Sequence, residues 1–172
     1  MQKRLATVLG SGIIVMGSLA NPAWAGCVTA KGKIANNALA GSATLGVAAL
    51  ELGAQKLKCA IAGAPQLVTP DGPNYRHTLV CDDQVGTGQP QSQITFDTFF
   101  VSQPVTTGQC QQNNPFGPVS FAFQERSIPD SATARGVFVG AVRETSQINI
   151  TGDFNCNGGI NMKFQGQICF AD

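Results

Sequence analysis

The sequence predicts an all-β fold: a single small antiparallel barrel with three disulfides, with a β-sandwich as the alternative. Three observations lead to this prediction. Short segments alternate apolar and polar residues, prolines and glycines separate these segments, and all six cysteines follow residue 26. Regular short strands divided by frequent turn signals are typical of barrels and sandwiches. Residues 48–56 are the one stretch whose spacing also fits a helix.

Residues 1–25 have the organisation of a secretory signal peptide. Lys3 and Arg4 form a positive start, and an apolar run covers residues 8–20. A small-x-small pattern ends at Ala25, which is where a signal peptidase would cut. The apolar run is too short for a membrane-spanning helix, which needs about 20 residues. We therefore predict cleavage after Ala25.

A lipoprotein signal is the main alternative at this junction, with Cys27 as the acylated residue. Such a signal has an aliphatic residue three positions before the cysteine, and here that position holds Trp24. The sequence therefore favours ordinary Sec-type export of a bacterial protein. Residues 26–172 are predicted to form a single exported β domain, periplasmic or extracellular, with no transmembrane segment after cleavage.

The charge balance argues against several classes of partner. The chain has 11 basic and 10 acidic residues, so loss of Lys3 and Arg4 leaves 9 against 10, a net charge of −1. Nucleic-acid binding needs a basic patch, and adhesion to anionic membranes needs a basic surface. We expect neither partner.

Alternation and turn residues place nine candidate strands along the exported part. The last hairpin can be argued in more detail, because its two strands must bury the same face. A two-residue turn would set apolar residues beside polar ones. A three-residue turn at 157–159 sets Ile148 opposite Ile168 and Gly152 opposite Phe164, and glycine suits its left-handed position. The candidate strands are 27–34, 39–50, 54–62, 75–82, 92–101, 119–126, 134–143, 146–155 and 160–170.

An even number of cysteines in an exported chain indicates disulfides, and strand parity sorts four of the six into two pairs, which leaves the third pair by elimination. One pair lies on the polar faces of the first and last strands, which become neighbours when a barrel closes. A second pair points inward on successive strands, and the third joins the polar loop 103–117 to the last turn. The predicted pairs are Cys27–Cys169, Cys59–Cys81 and Cys110–Cys156.

A metal site is the competing interpretation of the cysteines. The chain has no Cys-x-x-Cys or Cys-x-x-His spacing and a single histidine, so no zinc site is predicted. Residues 153–158 match the opening of a calcium loop, but the twelfth position is Phe164 where a bidentate Glu is required. Turn chemistry explains the Asn and Gly residues there. We predict no metal and no cofactor.

Residues 136–141, with the sequence GVFVGA, resemble a repeat found in small secreted barrels of the allene-oxide-cyclase type. The resemblance covers six residues and favours a barrel over a sandwich.

His77 is the only histidine and the one weak candidate for catalysis. It shares strand parity with Leu79, so it is predicted to be a half-buried strand residue bonded to a neighbour. As a general base it would need an orienting carboxylate, for which Asp82 and Asp83 are the nearest in sequence. No Gly-x-Ser-x-Gly segment supplies a nucleophile.

Five phenylalanines form an aromatic cluster that is either core or the wall of a partly open apolar cavity. Phe99 and Phe100 cannot both face the same interior, which favours a cavity. The cluster contains Phe96, Phe99, Phe100, Phe121 and Phe123.

The resulting hypothesis is a non-catalytic, disulfide-stabilised β domain with a binding or structural envelope role. Its partner would be a small apolar ligand or an envelope protein. The alternative is a small barrel enzyme, an isomerase or hydrolase, that uses His77 with an acidic partner in a pocket.

Overall fold

The computed structural model describes residues 25–39, 42–67, 72–83 and 86–171. The predicted signal peptide lies outside this part of the chain, apart from Ala25. Within the described ranges, no helix is long and apolar enough to cross a membrane. The strands are β1 (Gly26–Ala38), β2 (Thr44–Leu52), β3 (Gln55–Pro65), β4 (Tyr75–Cys81), β5 (Gln93–Phe100), β6 (Val105–Gln109), β7 (Val119–Arg135), β8 (Gln147–Phe154) and β9 (Gly159–Phe170).

Eight of these strands close into an antiparallel barrel, which confirms the predicted fold class. The hydrogen-bonded order is β5-β4-β3-β2-β1-β9-β8-β7, and pairing of β5 with β7 completes the circle. The short β6 also pairs with β7. Because β8 occupies the other edge of β7, β6 continues the line of β5 along the same edge.

Period-two alternation produces these strands as the sequence predicted. In β3 the buried Leu57, Cys59 and Ile61 alternate with the exposed Lys56 and Lys58. Each strand therefore presents one apolar face, and closing the barrel buries all of these faces together. The helical spacing of residues 48–56 does not produce a helix, because those residues form the end of β2, a two-residue turn and the start of β3.

The candidate strand at 134–143 is wrong. Strand β7 continues to Arg135, and the chain then leaves the sheet in a 3-10 turn, Gly136–Phe138. Gly136 has a φ of +60°, where a side chain would be strained, and Ser92 fills the space beside it. Phe138 is fully buried, and Ala141 bridges to Phe170, so this segment crosses and closes one end of the barrel.

The last hairpin has the predicted loop length in a different place. Asn155 pairs with Gly159, so the three-residue loop is 156–158, with Gly158 at a φ of +76°. Starting one residue earlier shifts the register by two, which keeps every apolar side chain on the inner face. Ile148 therefore lies opposite Gly166 rather than Ile168.

The predicted contact of Phe164 with Gly152 is also wrong. Phe164 covers Gly32, where an added Cβ would fall 2.6 Å from its Cζ. The ring that covers Gly152 comes from Phe123. The sequence correctly indicated that an aromatic ring would cover a glycine. Which ring covers which glycine depends on the strand register, which the sequence did not determine.

All six cysteines are paired as predicted. Cys27 lies directly opposite Cys169 across β1 and β9, and Cys59 lies directly opposite Cys81 across β3 and β4. The pattern missed β6, which lies in the segment just before Cys110. The three disulfides are Cys27–Cys169, Cys59–Cys81 and Cys110–Cys156.

Candidate functional site

The end of the barrel opposite the 3-10 turn opens into a cavity of about 620 Å³. The β1–β2 connection, the start of β4, the end of β5 and the β8–β9 turn surround it. Below it the barrel is filled, with a residual void of about 40 Å³ among the core side chains. The aromatic residues of its wall, apart from Tyr75, are Phe100, Phe116, Phe121, Phe123 and Phe154.

The five phenylalanines predicted to form one cluster lie in three different places: the cavity wall, the core and the outer face of the barrel. Phe100, Phe121 and Phe123 line the cavity, as the open-cavity interpretation required. Phe96 is buried in the core. Phe99 points outward, where the Arg126 guanidinium lies 5.3 Å from its ring centre.

A set of polar side chains lies among the phenylalanines, mostly on inward-facing positions of different strands. Burial is the main influence on their chemistry, because a low-dielectric wall disfavours any charged form. The polar lining residues are Asn36, Ser42, Thr44, Tyr75, His77 and Glu125.

His77 lies on β4, is 7% exposed and borders both the cavity and the core below it. Its Nδ1 is 3.0 Å from Thr98 Oγ1, which in turn is 2.8 Å from Ser127 Oγ. Burial lowers the pKa of His77 to about 4, so its ring is neutral at neutral pH. The predicted half-buried histidine bonded to a neighbour is therefore more deeply buried than expected, and it faces a cavity.

Glu125 is a candidate site residue that the sequence did not single out. It lies on β7, is 5% exposed, and its Oε2 has no hydrogen-bond partner among the described residues. Burial raises the pKa of Glu125 to about 7. A signal was present, because Glu125 follows Phe121 and Phe123 at period two and so had to share their inward face.

Asp82 and Asp83, the carboxylates nearest to His77 in sequence, are not its partners. Asp82 Oδ1 accepts a hydrogen bond from the Lys58 backbone at 3.2 Å. Asp83 Oδ2 accepts one from the Ser92 hydroxyl at 2.6 Å. Both aspartates follow the carboxyl end of β4, whereas the cavity lies at its amino end.

Tyr75 and Asn36 complete the polar lining. The Tyr75 hydroxyl donates to the Ser42 carbonyl at 3.1 Å, and burial together with the charge of Glu125 raises the pKa of this phenol. The Asn36 amide nitrogen donates to Thr44 Oγ1 at 3.2 Å. Its carbonyl oxygen is buried and has no partner among the described residues.

The segment that matches the opening of a calcium loop forms a turn held by side-chain hydrogen bonds. Asn155 Oδ1 accepts from the backbone N–H groups of Asn157 and Gly159, each at 2.9 Å. This is the side-chain turn that Asn favours. The same turn anchors the loop after β6, because Cys110 is bonded to Cys156 and the Phe116 ring covers Gly158.

A second groove of about 640 Å³ lies on the outer face of the barrel. Lys33, Lys163 and Asp153 border it, and all three are exposed. None of the unpartnered buried side-chain atoms found in the described part of the chain points to this groove. The end cavity is the better candidate, since it combines an apolar wall with a few convergent polar groups.

The chemistry available in the end cavity is apolar contact, hydrogen-bond acceptance and proton transfer by Glu125. Comparisons of the chain with protein-family models, with curated proteins and with solved structures return no match.

Proposed function

We propose that this protein is an exported, non-catalytic domain that binds a small, largely apolar molecule in the end cavity. The observation that carries the proposal is a filled barrel with one open, aromatic-walled end of about 620 Å³. That volume falls within the range of small-molecule sites. A small ligand fits this concave site better than an envelope protein does.

The rim of the cavity supports an apolar ligand. Leu39, Phe100 and Phe116 are 49%, 37% and 39% exposed, although they are large apolar side chains. Clustered exposed apolar side chains beside a cavity usually mark a binding site. The Cys110–Cys156 disulfide holds the Phe116 loop against the last hairpin, which keeps one side of the rim in place.

Export is part of the proposal. Three disulfides persist in an oxidising compartment, such as the periplasm or the outside of the cell. The predicted cleavage after Ala25 would leave Gly26, the first residue of β1, at the new terminus. Residues 1–25 of the sequence have the pattern of the signal that would direct this export.

A fluorescent probe tests the binding function. The neutral dye N-phenylnaphthylamine should gain fluorescence when it enters the aromatic cavity of the oxidised protein. Ala38→Trp fills the cavity from the end of β1, so it should abolish the gain. The matched control is Asn37→Trp on the exposed face, which should keep it. Equal binding by both variants would overturn the proposal.

A proton-transfer enzyme is the second candidate, and the placement of Glu125 favours it. A buried carboxyl with a pKa near 7, facing an apolar cavity, is what a general acid or base requires. His77 would act as a neutral polar neighbour rather than as the base. This is the isomerase alternative with Glu125 as the acidic partner.

A nitrobenzisoxazole tests the second candidate. A base that removes its ring proton breaks the N–O bond and releases a coloured cyanophenolate. An active site would give a rate that rises with pH to a plateau above about pH 7 and disappears in Glu125→Gln. A rate no greater than that of Glu125→Gln would leave binding as the function.

A further inference from the structure

Glu125 lines the cavity with a deeply buried side chain. The side chain is 95% buried, and Oε2 has no hydrogen-bond partner within the described part of the chain. Buried polar atoms are nearly always paired, because an unpaired one loses its hydration with nothing in return. An unpaired carboxyl that lines a cavity therefore points to a ligand group as its partner.

The described residues of the cavity lining provide no positive charge for this carboxyl. Among the described lining residues, the titratable ones are Tyr75 and His77 from β4 and Glu125 from β7, and none is a Lys or Arg. His77 is neutral at neutral pH, and the Tyr75 hydroxyl donates to a backbone carbonyl instead. When Glu125 is ionised, a counter-charge would have to come with the ligand.

A second acceptor in the lining also lacks a donor. Asn36 Oδ1 is buried and has no hydrogen-bond partner among the described residues, while the amide nitrogen of the same side chain donates to Thr44 Oγ1. When Glu125 is ionised, both unpartnered buried polar atoms found in the described lining are therefore acceptors. A ligand that satisfies them carries N–H or O–H donors, not further acceptors.

The aromatic wall suits a cationic donor. Phe121 and Phe154 stack with ring centres 4.9 Å apart, and Phe100 meets Phe123 edge to face at 6.4 Å. Ring faces attract cations, and aromatic cages are a common way of binding ammonium groups. The same rings pack against the apolar body of such a molecule.

We propose that the ligand of the end cavity is a small organic amine, bound as its ammonium ion with N–H groups on Glu125 and Asn36. This rests on the proposed function, because it names the class of ligand for the same cavity. Its apolar body would lie against Phe100, Phe121 and Phe123.

Three probes of similar size separate charge from apolar contact. Phenethylamine carries a positive charge, phenethyl alcohol is neutral, and phenylacetate is negative. Calorimetric titration of the oxidised protein at about pH 8 should show the amine binding at least about tenfold more tightly than the alcohol. The selectivity should fall toward one at about pH 5.5, where Glu125 takes up a proton.

Two variants complete the test. Glu125→Gln should abolish the selectivity for the amine over the alcohol. Glu51→Gln removes one carboxylate from the outer face, where it pairs with Lys31, and should keep the selectivity. The wild-type pH comparison still decides the question if the Glu125 variant fails to fold.

The outcomes distinguish the ammonium-ligand proposal from the more general proposal that the cavity binds a small apolar molecule. If the alcohol or the anion binds as tightly as the amine, the cavity still binds apolar molecules but the ammonium proposal is wrong. If all three probes and the neutral dye fail to bind, the proposed function is wrong as well.

Discussion

His77 and Glu125 line the same cavity from β4 and β7, and burial moves their pKa values in opposite directions, to about 4 and about 7. The cause is shared. A low-dielectric surrounding disfavours the charged form, which is the protonated form of histidine and the deprotonated form of glutamate. Both groups are therefore held neutral in slightly acidic solution.

The two shifts predict opposing effects of pH on stability. The Glu125 contribution is fully present below its ordinary value of 4.5 and is lost as pH rises through about 7. The His77 contribution is present above its ordinary value of 6.5 and is lost as pH falls through about 4. Between about pH 4.5 and 6.5 the two pH dependences have opposite slopes of similar size. The unfolding free energy of the wild-type protein therefore changes little across this window.

Single variants should expose each effect. Relative to wild type, Glu125→Gln should gain about 3 kcal/mol of unfolding free energy as pH rises from about 4.5 to 7. His77→Gln should gain a similar amount, about 3 kcal/mol, as pH falls from about 6.5 to 4. Urea unfolding at a series of pH values measures both. Curves that stay parallel to that of the wild type would show that neither group titrates abnormally.

The disulfides should differ in their contribution to stability. In the chain-entropy model a longer closed loop contributes more, and the sequence separations are 142 for Cys27–Cys169 and 22 for Cys59–Cys81. Replacing both cysteines of a pair by serine should therefore cost about 4–5 kcal/mol for the first and about 3 kcal/mol for the second. Denaturant unfolding of the double variants checks the order, and a larger loss for the second pair would contradict it.

Gly32 should tolerate no side chain. A Cβ there would collide with the Ala49 carbonyl oxygen and lie 2.6 Å from Phe164 Cζ. Gly32→Ala should cost about 1–3 kcal/mol, because β2 or the ring would have to move. The control is Lys33→Ala on the exposed face, which should change stability by less than about 0.5 kcal/mol. Similar melting temperatures for both variants would show that the glycine is not needed.

The mature protein should begin at Gly26 and contain no free thiol. Intact mass spectrometry of the exported form should give the mass of residues 26–172 with three disulfides, and alkylation without reductant should add nothing. Because the three bonds contribute several kcal/mol, reductant should lower the melting temperature sharply. A lipid on Cys27, or a start at Met1, would contradict the predicted processing.

Much of the fold was predictable because its rules are local. Alternation with period two assigns each side chain to the inner or outer face, and this parity was enough to pair Cys27 with Cys169 and Cys59 with Cys81. Parity also assigned the apolar residues of the last hairpin to the inner face. It could not set the register, because moving a strand by two residues leaves every side chain on the same face.

The candidate site was less predictable because its groups are far apart in the chain. His77 was found as the only histidine, but proximity in sequence suggested Asp82 and Asp83 as its partners. Those residues lie beyond the opposite end of the same strand. Glu125 is brought to the cavity by the pairing of β5 with β7, in which it lies opposite Phe100, a residue 25 positions earlier in the chain.

The sequence by itself determined the all-β class, the inner or outer face of most strand residues and two of the three disulfides, since these follow from alternation and from cysteine parity. It favoured a barrel but left a β-sandwich as the alternative. Only the tertiary structure decided where the barrel stays open. The turn at Gly136–Phe138 buries Phe138 at one end, while the other end retains a cavity in whose wall Glu125 Oε2 has no hydrogen-bond partner among the described residues. Whether an end is filled or open depends on how well side chains from eight strands together fill the barrel interior. This packing cannot be read from the pattern of any one segment.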